Sequence, residues 1–113
     1  MSIKIDRIAS NIVKEISYIL ATEVKDNDIK FVTITDAKVT NDLSFAKIYF
    51  TVLDENRKKE TLDALKNASK FIRRELADRV DIRHIPELEF VYDESIAYGK
   101  KIEDIIEQIH EEN

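Results

Sequence analysis

Cysteine and tryptophan are absent from this chain of 113 residues, which also contains a single glycine, Gly99, and a single proline, Pro86. Without cysteine there is no disulfide framework, no thiolate nucleophile and no cysteine-based zinc site. P-loops, dinucleotide-binding fingerprints and nucleophile elbows all need glycine-rich turns, which a chain with one glycine lacks. The sequence therefore predicts a protein that is not an enzyme and needs no metal or other cofactor.

Long hydrophobic runs are also missing. No apolar stretch approaches the roughly 20 residues of a membrane helix, and the N-terminal MSIKIDRIAS lacks the apolar core of a signal peptide. Hydrophobic residues at 43% and charged residues at 36% are typical of a folded, soluble protein. We therefore expect one cytoplasmic domain over residues 1–113, with a frayed tail at about 107–113.

Charge is distributed unevenly along the chain. The net charge is −5, which by itself disfavours a nucleic-acid partner, because affinity for phosphate backbones depends on Lys and Arg. Residues 57–84, however, contain nine Lys and Arg against five Asp and Glu, a net charge of +4, which leaves −9 for the remainder. A local basic footprint matters more to binding than the total charge. An anion-binding surface is therefore expected within residues 57–84.

The periodicity of apolar residues predicts the order of elements. Residues 4–24 repeat apolar side chains at helical spacing, whereas FVTITDAKVT and LSFAKIYFTVL are rich in strand-forming residues and are joined by a turn. A helical block over about 55–80 follows, then the short strand LEFVYD. A last amphipathic helix carries Ile102, Ile105, Ile106 and Ile109 on one face. The order α-β-β-α(α)-β-α predicts the α+β class.

The long helical block sets one aromatic residue apart from its apolar stripe. Leu65, Ile72 and Leu76 share one side of a straight helix, whereas Phe71 lies about 180° from Leu62. A straight helix would therefore expose Phe71. A break or a bend near Asn67-Ala68-Ser69 would let Phe71 turn inward, and Asn and Ser are residues that cap a restarted helix.

The same block carries a basic edge beside its apolar stripe. On a helical wheel Lys and Arg side chains fall within an arc of about 100°, at Lys59, Lys66, Lys70, Arg73 and Arg74. An ordinary solvated helix face explains such an edge about equally well. Phosphate binding is favoured by the coincidence with a suspected helix restart, which would offer free backbone N–H groups and a positive dipole end.

Three stretches of the sequence resemble the ribosome-binding factor A family: TDAKVTNDLSFAKIYFTVL, the Ala68-Ser69 step before FIRREL, and RHIPELEFVYDES. The resemblance extends from the first helix to about Gly99. It implies a single-domain, type II KH-like fold, in which a helix-kink-helix centred on an Ala-x-Gly step replaces the GXXG loop. Here the step is Ala68-Ser69-Lys70, so Lys70 stands where the family has glycine. The most specific residues are Arg83, Pro86, Glu87, Leu88, Phe90, Tyr92, Asp93 and Ser95.

The resemblance also implies a function. Members of the family are assembly factors, not enzymes, that bind the free small (30S) ribosomal subunit and its 16S rRNA. They assist late maturation of the rRNA at its 5′ end and support growth in the cold. For this chain the resemblance implies a cytoplasmic monomer, with ribosome-associated GTPases as further partners.

The basic edge and the resemblance together predict the RNA-binding residues. The helix-restart hypothesis assigns Asn67, Ala68 and Ser69 to the kink. Phosphate contacts are expected at Lys66, Lys70, Arg73 and Arg74, with an extension toward the third strand at Arg79 and Arg83 and further candidates at Lys58 and Lys59.

Two alternatives remain open at this level. The chain could be a protein-interaction module that docks through its acidic C-terminal helix, although most such apolar stripes pack on their own sheet. It could also be a small nucleic-acid enzyme, which the missing glycine-rich and metal-ligand signatures disfavour.

Overall fold

The computed structural model describes residues 3–29 and 31–95. Its elements are α1 (Ile3–Thr22), β1 (Val32–Val39), β2 (Phe45–Val52), α2 (Lys58–Arg79) and β3 (Glu87–Tyr92), with 3₁₀ turns at Asn27–Ile29 and Glu55–Arg57. This order confirms the predicted α+β fold class. The predicted C-terminal helix with its isoleucine stripe, and the predicted frayed tail at about 107–113, lie outside the described residues.

The three strands form one sheet in the order β1-β2-β3. β1 pairs with β2 in antiparallel orientation, as the predicted hairpin requires, and β3 pairs with β2 in parallel, with Ile48 opposite Phe90. A parallel pair needs a long crossover connection, which α2 supplies. A bulge in β1 between Ile34 and Asp36 shifts the register, and Ile34 and Ala37 are both buried although their spacing is odd.

The β1–β2 turn is held by the side chain of Asp42. Its carboxylate accepts hydrogen bonds from the Ser44 backbone N–H at 3.0 Å and from the Thr40 hydroxyl at 2.8 Å. These bonds, with that from the Ser44 backbone the largest contribution, hold the pKa of Asp42 below its ordinary value. Leu43 adopts a φ of 62°, a region that favours glycine, but its side chain is buried. Leu43 therefore combines a buried side chain with a positive φ that is unfavourable for a residue other than glycine.

Both helices cover the same face of the sheet. Alternate residues of β2 are buried, whereas Phe45 and Lys47 between them are exposed on the opposite face. The covered face and the inner sides of α1 and α2 form one apolar core, which is built around Ile12, Ile16, Ile19, Ala46, Ile48, Phe50, Leu65, Ile72, Leu76 and Phe90. The outer side of each helix is consequently available to solvent.

The predicted break at Asn67-Ala68-Ser69 is wrong, because α2 is a continuous α-helix of 22 residues. The helix contains neither glycine nor proline, and Lys70 is a good helix former. Leu65 and Ile72, on either side of the expected break, are fully buried in the same core. Phe71 accordingly remains 36% exposed, as an unbroken helix predicts.

A glycine at position 70 tests the continuity of α2. Lys70→Gly should lower the free energy of unfolding by roughly 1 kcal/mol, because glycine is disfavoured by about that amount in a helix interior. Urea unfolding followed by circular dichroism measures the change. Lys70→Ala is the matched control and should leave stability almost unchanged. A Lys70→Gly variant at least as stable as the wild type would show that this position prefers a kinked helix.

Candidate nucleic-acid interface

Three basic side chains form a row along the outer side of α2. Lys66, Lys70 and Arg74 are spaced four residues apart, so they project from one strip of the helix over about 12 Å. All three are exposed, and none forms an ion pair with residues 3–29 or 31–95. We call Lys66, Lys70 and Arg74 the basic row.

The basic row offers side-chain donors only. Because α2 continues through residues 67–70, the backbone N–H groups of these residues are used in the hydrogen bonds of the helix. They are therefore not the free N–H donors that a restarted helix would offer. Lys59 lies on the same strip and is exposed, but Asp63 lies between Lys59 and the basic row. The site is therefore a cationic helix face and not a helix N-terminus.

Arg73, which was predicted as a phosphate contact, is bound to the segment that leads into β3. Its Nε donates to the Pro86 carbonyl and its Nη2 to the Ile85 carbonyl, both at 2.9 Å. Nη1 also lies 3.6 Å from the Glu87 carboxylate. Each of the three nitrogens of this guanidinium thus contacts the segment that leads into β3 or the first residue of β3. This contact was not predicted from the sequence, although a proline, which interrupts regular structure, signals that nearby carbonyls need other donors.

Arg79 joins the two helices. Its guanidinium lies 4.0 Å from the Glu15 carboxylate, 3.7 Å from that of Glu23 and 3.8 Å from that of Glu75. The same group lies 5.0 Å from the ring centroid of Tyr18. Three carboxylates and an aromatic ring surround one cation, so Arg79 is less accessible to an external anion than the basic row.

The remaining predicted phosphate contacts are likewise either exposed or bound to other parts of the fold. Arg83 is exposed in the segment between α2 and β3. Lys58 is engaged, because its Nζ lies 4.4 Å from the Tyr92 ring centroid and 3.2 Å from the Glu94 carboxylate. The structure therefore leaves Lys59 and Arg83 exposed and without an ion pair in the described part of the chain, whereas Lys58, Arg73 and Arg79 contact other parts of the fold.

Two other kinds of site are not found in residues 3–29 and 31–95. No group of three or more histidine, aspartate and glutamate side chains in that part of the chain could hold a metal ion. No helix there is both long and apolar enough to cross a membrane.

A family model for ribosome-binding factor A matches residues 4–106. This chain belongs to the ribosome-binding factor A family. It is 47% identical to ribosome-binding factor A of Staphylococcus carnosus over 109 residues, covering 96% of this chain and 95% of the relative. It is 43% identical to the Macrococcus caseolyticus protein of the same name over 111 residues, covering 97% of each chain. The family expected from the sequence is thereby confirmed.

Solved structures of ribosome-binding factor A share the fold. The crystal structure of the Thermus thermophilus protein matches with a TM-score of 0.67 and 25% identity, covering 76% of this chain and 92% of that chain. The solution structure of a Thermotoga maritima protein described as a putative ribosome-binding factor A matches with a TM-score of 0.61 and 26% identity, over 75% and 82% of the two chains. A homology model of the Thermus protein, fitted into a cryo-EM map of a 30S complex, has the same fold at 24% identity and a TM-score of 0.57, over 76% and 87%.

The contacts of Arg73 predict a structural effect. Arg73→Ala should lower the free energy of unfolding by about 1–3 kcal/mol, because the Ile85 and Pro86 carbonyls lose a charged donor. Lys66→Ala, a truncation on the same helix at an exposed position, is the matched control and should change stability by less than about 0.5 kcal/mol. Chemical unfolding of both variants measures the difference. Equal stability of the two variants would contradict a structural role for Arg73.

Proposed function

We propose that this protein binds the free small (30S) ribosomal subunit through 16S rRNA and assists late maturation of that rRNA at its 5′ end, without catalysing a reaction. The observation that carries the proposal is the basic row, three exposed cations on one helix face with no ion-pair partner in the described part of the chain. The chain also belongs to a family that is named for ribosome binding.

The choice of the small subunit follows from family membership. A homology model of the Thermus thermophilus protein is described as fitted into a map of a 30S complex. We extend that partner to this chain as part of the proposal, because its relatives at 43% and 47% identity carry the same family name. The proposal includes action as a monomer in the cytoplasm, support of growth in the cold and cooperation with ribosome-associated GTPases.

The electrostatics of α2 support an RNA partner in spite of the net charge of −5. Each Lys or Arg that neutralises a phosphate releases condensed counterions, so a few well-placed cations supply much of the affinity. The ion pairs of Arg79 reduce its contribution to RNA affinity, whereas the full charge of the basic row is available to a ligand. Negative charge elsewhere would orient the protein with α2 toward the RNA.

The continuous helix also limits how RNA is recognised. A KH domain clamps the backbone of a single strand with its GXXG loop, whereas α2 presents a row of side chains on one continuous helix. Lys66, Lys70 and Arg74 would contact phosphates, which position a protein without reading bases. Selectivity for one region of 16S rRNA would therefore come from the shape of the RNA and from neighbouring ribosomal surfaces.

Charge reversal of the basic row tests the proposed function. Lys66→Glu, Lys70→Glu and Arg74→Glu combined should weaken co-sedimentation with isolated small subunits by about tenfold or more, because three phosphate contacts become repulsive. The matched control reverses three exposed lysines on other elements, Lys14, Lys25 and Lys47, for the same change in net charge. Circular dichroism checks that both variants are folded.

The control should bind nearly as well as the wild type. If both triple variants lose binding equally, the effect is one of total charge, and the basic row is not the contact surface. If the wild type binds assembled ribosomes but not free small subunits, the assembly-factor role itself is wrong.

Ionic strength gives an independent measurement of the same contacts. Three phosphate contacts predict that affinity for the small subunit falls roughly 20- to 40-fold between about 50 and 200 mM salt. The charge-reversed basic row should remove most of this dependence, whereas the control triple variant should retain it. A wild-type affinity that does not respond to salt would refute phosphate binding.

A further inference from the structure

Phe71 lies at the edge of the basic row. It follows Lys70 directly and precedes Arg74 by three residues, which makes Arg74 its neighbour on the helix surface, with Cβ atoms about 5–6 Å apart. Over a third of the surface of Phe71 is exposed. A single exposed apolar side chain is ordinary on a protein surface. An aromatic ring beside unpaired cations, however, is typical of proteins that bind single-stranded nucleic acid.

The ring of Phe71 lacks the partners that other surface aromatics have. It forms no ring pair and no cation–π contact with residues 3–29 or 31–95. The Tyr18 ring, in contrast, lies 5.0 Å from the Arg79 guanidinium. The exposed part of the Phe71 ring is therefore available for stacking on a ligand.

The charge around Phe71 matches an anionic ligand. Residues 66–74 contain four Lys or Arg and no Asp or Glu, and residues 66–78 contain the same four against two acids. One of these acids, Glu75, is engaged in an ion pair within α2. Although Arg73 is bound to the segment before β3, the three cations of the basic row remain open. A polyanion that also carries flat, stackable groups satisfies both the charge and the ring.

A single nucleotide can contact both kinds of group. Its base and its phosphate are joined through one sugar, and Phe71 and Arg74 lie about one helical turn apart. A base inside a duplex cannot stack on the ring, because both of its faces are covered by neighbouring base pairs. Bases in loops, bulges and single-stranded ends can be unstacked and can pack on an aromatic side chain.

We propose that Phe71 stacks on an unpaired base of RNA while Lys70 and Arg74 contact the phosphates beside that base. The RNA on the basic row is then a bulge, a loop or a single-stranded end and not an uninterrupted duplex. The inference rests on the proposed function in taking RNA as the ligand of the basic row. It adds a property that phosphate contacts cannot read, namely whether a base is paired.

Three labelled RNA hairpins test the stacking contact without ribosomes. The first has a fully paired stem, the second has one bulged adenosine in the stem, and the third has an abasic nucleotide at the bulge. The two bulged hairpins carry the same number of phosphates. Full-length protein is titrated into each at low salt and followed by fluorescence anisotropy. The adenosine bulge should bind roughly fivefold or more tightly than the abasic bulge, because a base stacked on an aromatic side chain contributes at least about that factor.

Variants identify the ring that stacks. Phe71→Ala should bind the adenosine and abasic bulges equally, whereas Phe71→Tyr, which keeps an aromatic ring, should retain the preference. Phe45→Ala, at an aromatic that is 60% exposed on the opposite face of the sheet, is the matched control and should discriminate like the wild type. Circular dichroism and urea unfolding check that all three variants are folded.

Salt dependence distinguishes stacking from a structural role of Phe71. The phenyl ring is uncharged, so Phe71→Ala should weaken binding of the adenosine bulge without changing how steeply affinity falls with salt. A shallower salt dependence in Phe71→Ala would mean that loss of the ring displaces the cations of the basic row. That result would overturn the stacking contact.

The remaining outcomes separate stacking from the proposed function. Equal binding of the adenosine and abasic bulges by the wild type, absence of binding to any hairpin, or a preference that survives Phe71→Ala would each overturn stacking. If such a protein still binds small subunits, the proposed function stands. An adenosine preference that Phe71→Ala removes, in a protein that fails to bind small subunits, would support stacking and refute the proposed function.

Discussion

The parallel pairing of β3 with β2 is the constraint on which the rest of the structure depends. It requires a crossover that returns the chain to the end of the sheet where β2 begins, and α2 forms this crossover over the core. Fully buried Leu65, Ile72 and Leu76 fix the rotation of the helix. The basic row therefore faces outward because the apolar side chains of α2 must face the sheet.

The arginines of α2 have two roles, because one is exposed to solvent and two contact other parts of the fold. Arg74 is exposed, whereas Arg73, one residue earlier, reaches the Ile85 and Pro86 carbonyls, and Arg79 lies among three glutamates of the two helices. A step of one residue turns a helix by about 100°, enough to move a guanidinium from solvent to the segment that leads into β3. The net positive charge of residues 57–84 therefore overstates the charge available to a ligand.

The α+β class, the hairpin and the third strand could all be predicted because each depends on local signals: alternation of apolar residues, turn residues and Pro86. The break at Asn67-Ala68-Ser69 was predicted from the position of Phe71 and from the capping preference of Asn and Ser. It failed because the unbroken core contacts of α2 on either side of that step outweigh a weak local preference. Leaving Phe71 partly exposed costs less than interrupting the helix.

By itself, the sequence determined the order of elements and the concentration of basic residues in the segment 57–84, because periodicity and composition are properties of the chain. The family followed from a resemblance carried by particular motifs. Only the tertiary structure decided which cations remain open to a ligand. The partners of Arg73 are 12 and 13 residues away in the chain, and Lys58 meets Glu94 across 36 residues. The cavity lined by Phe31, Leu53 and Thr61 likewise forms only when the start of β1, the end of β2 and the first turn of α2 meet. Contacts between residues so far apart in sequence leave no periodic signal, so only the folded chain reveals them.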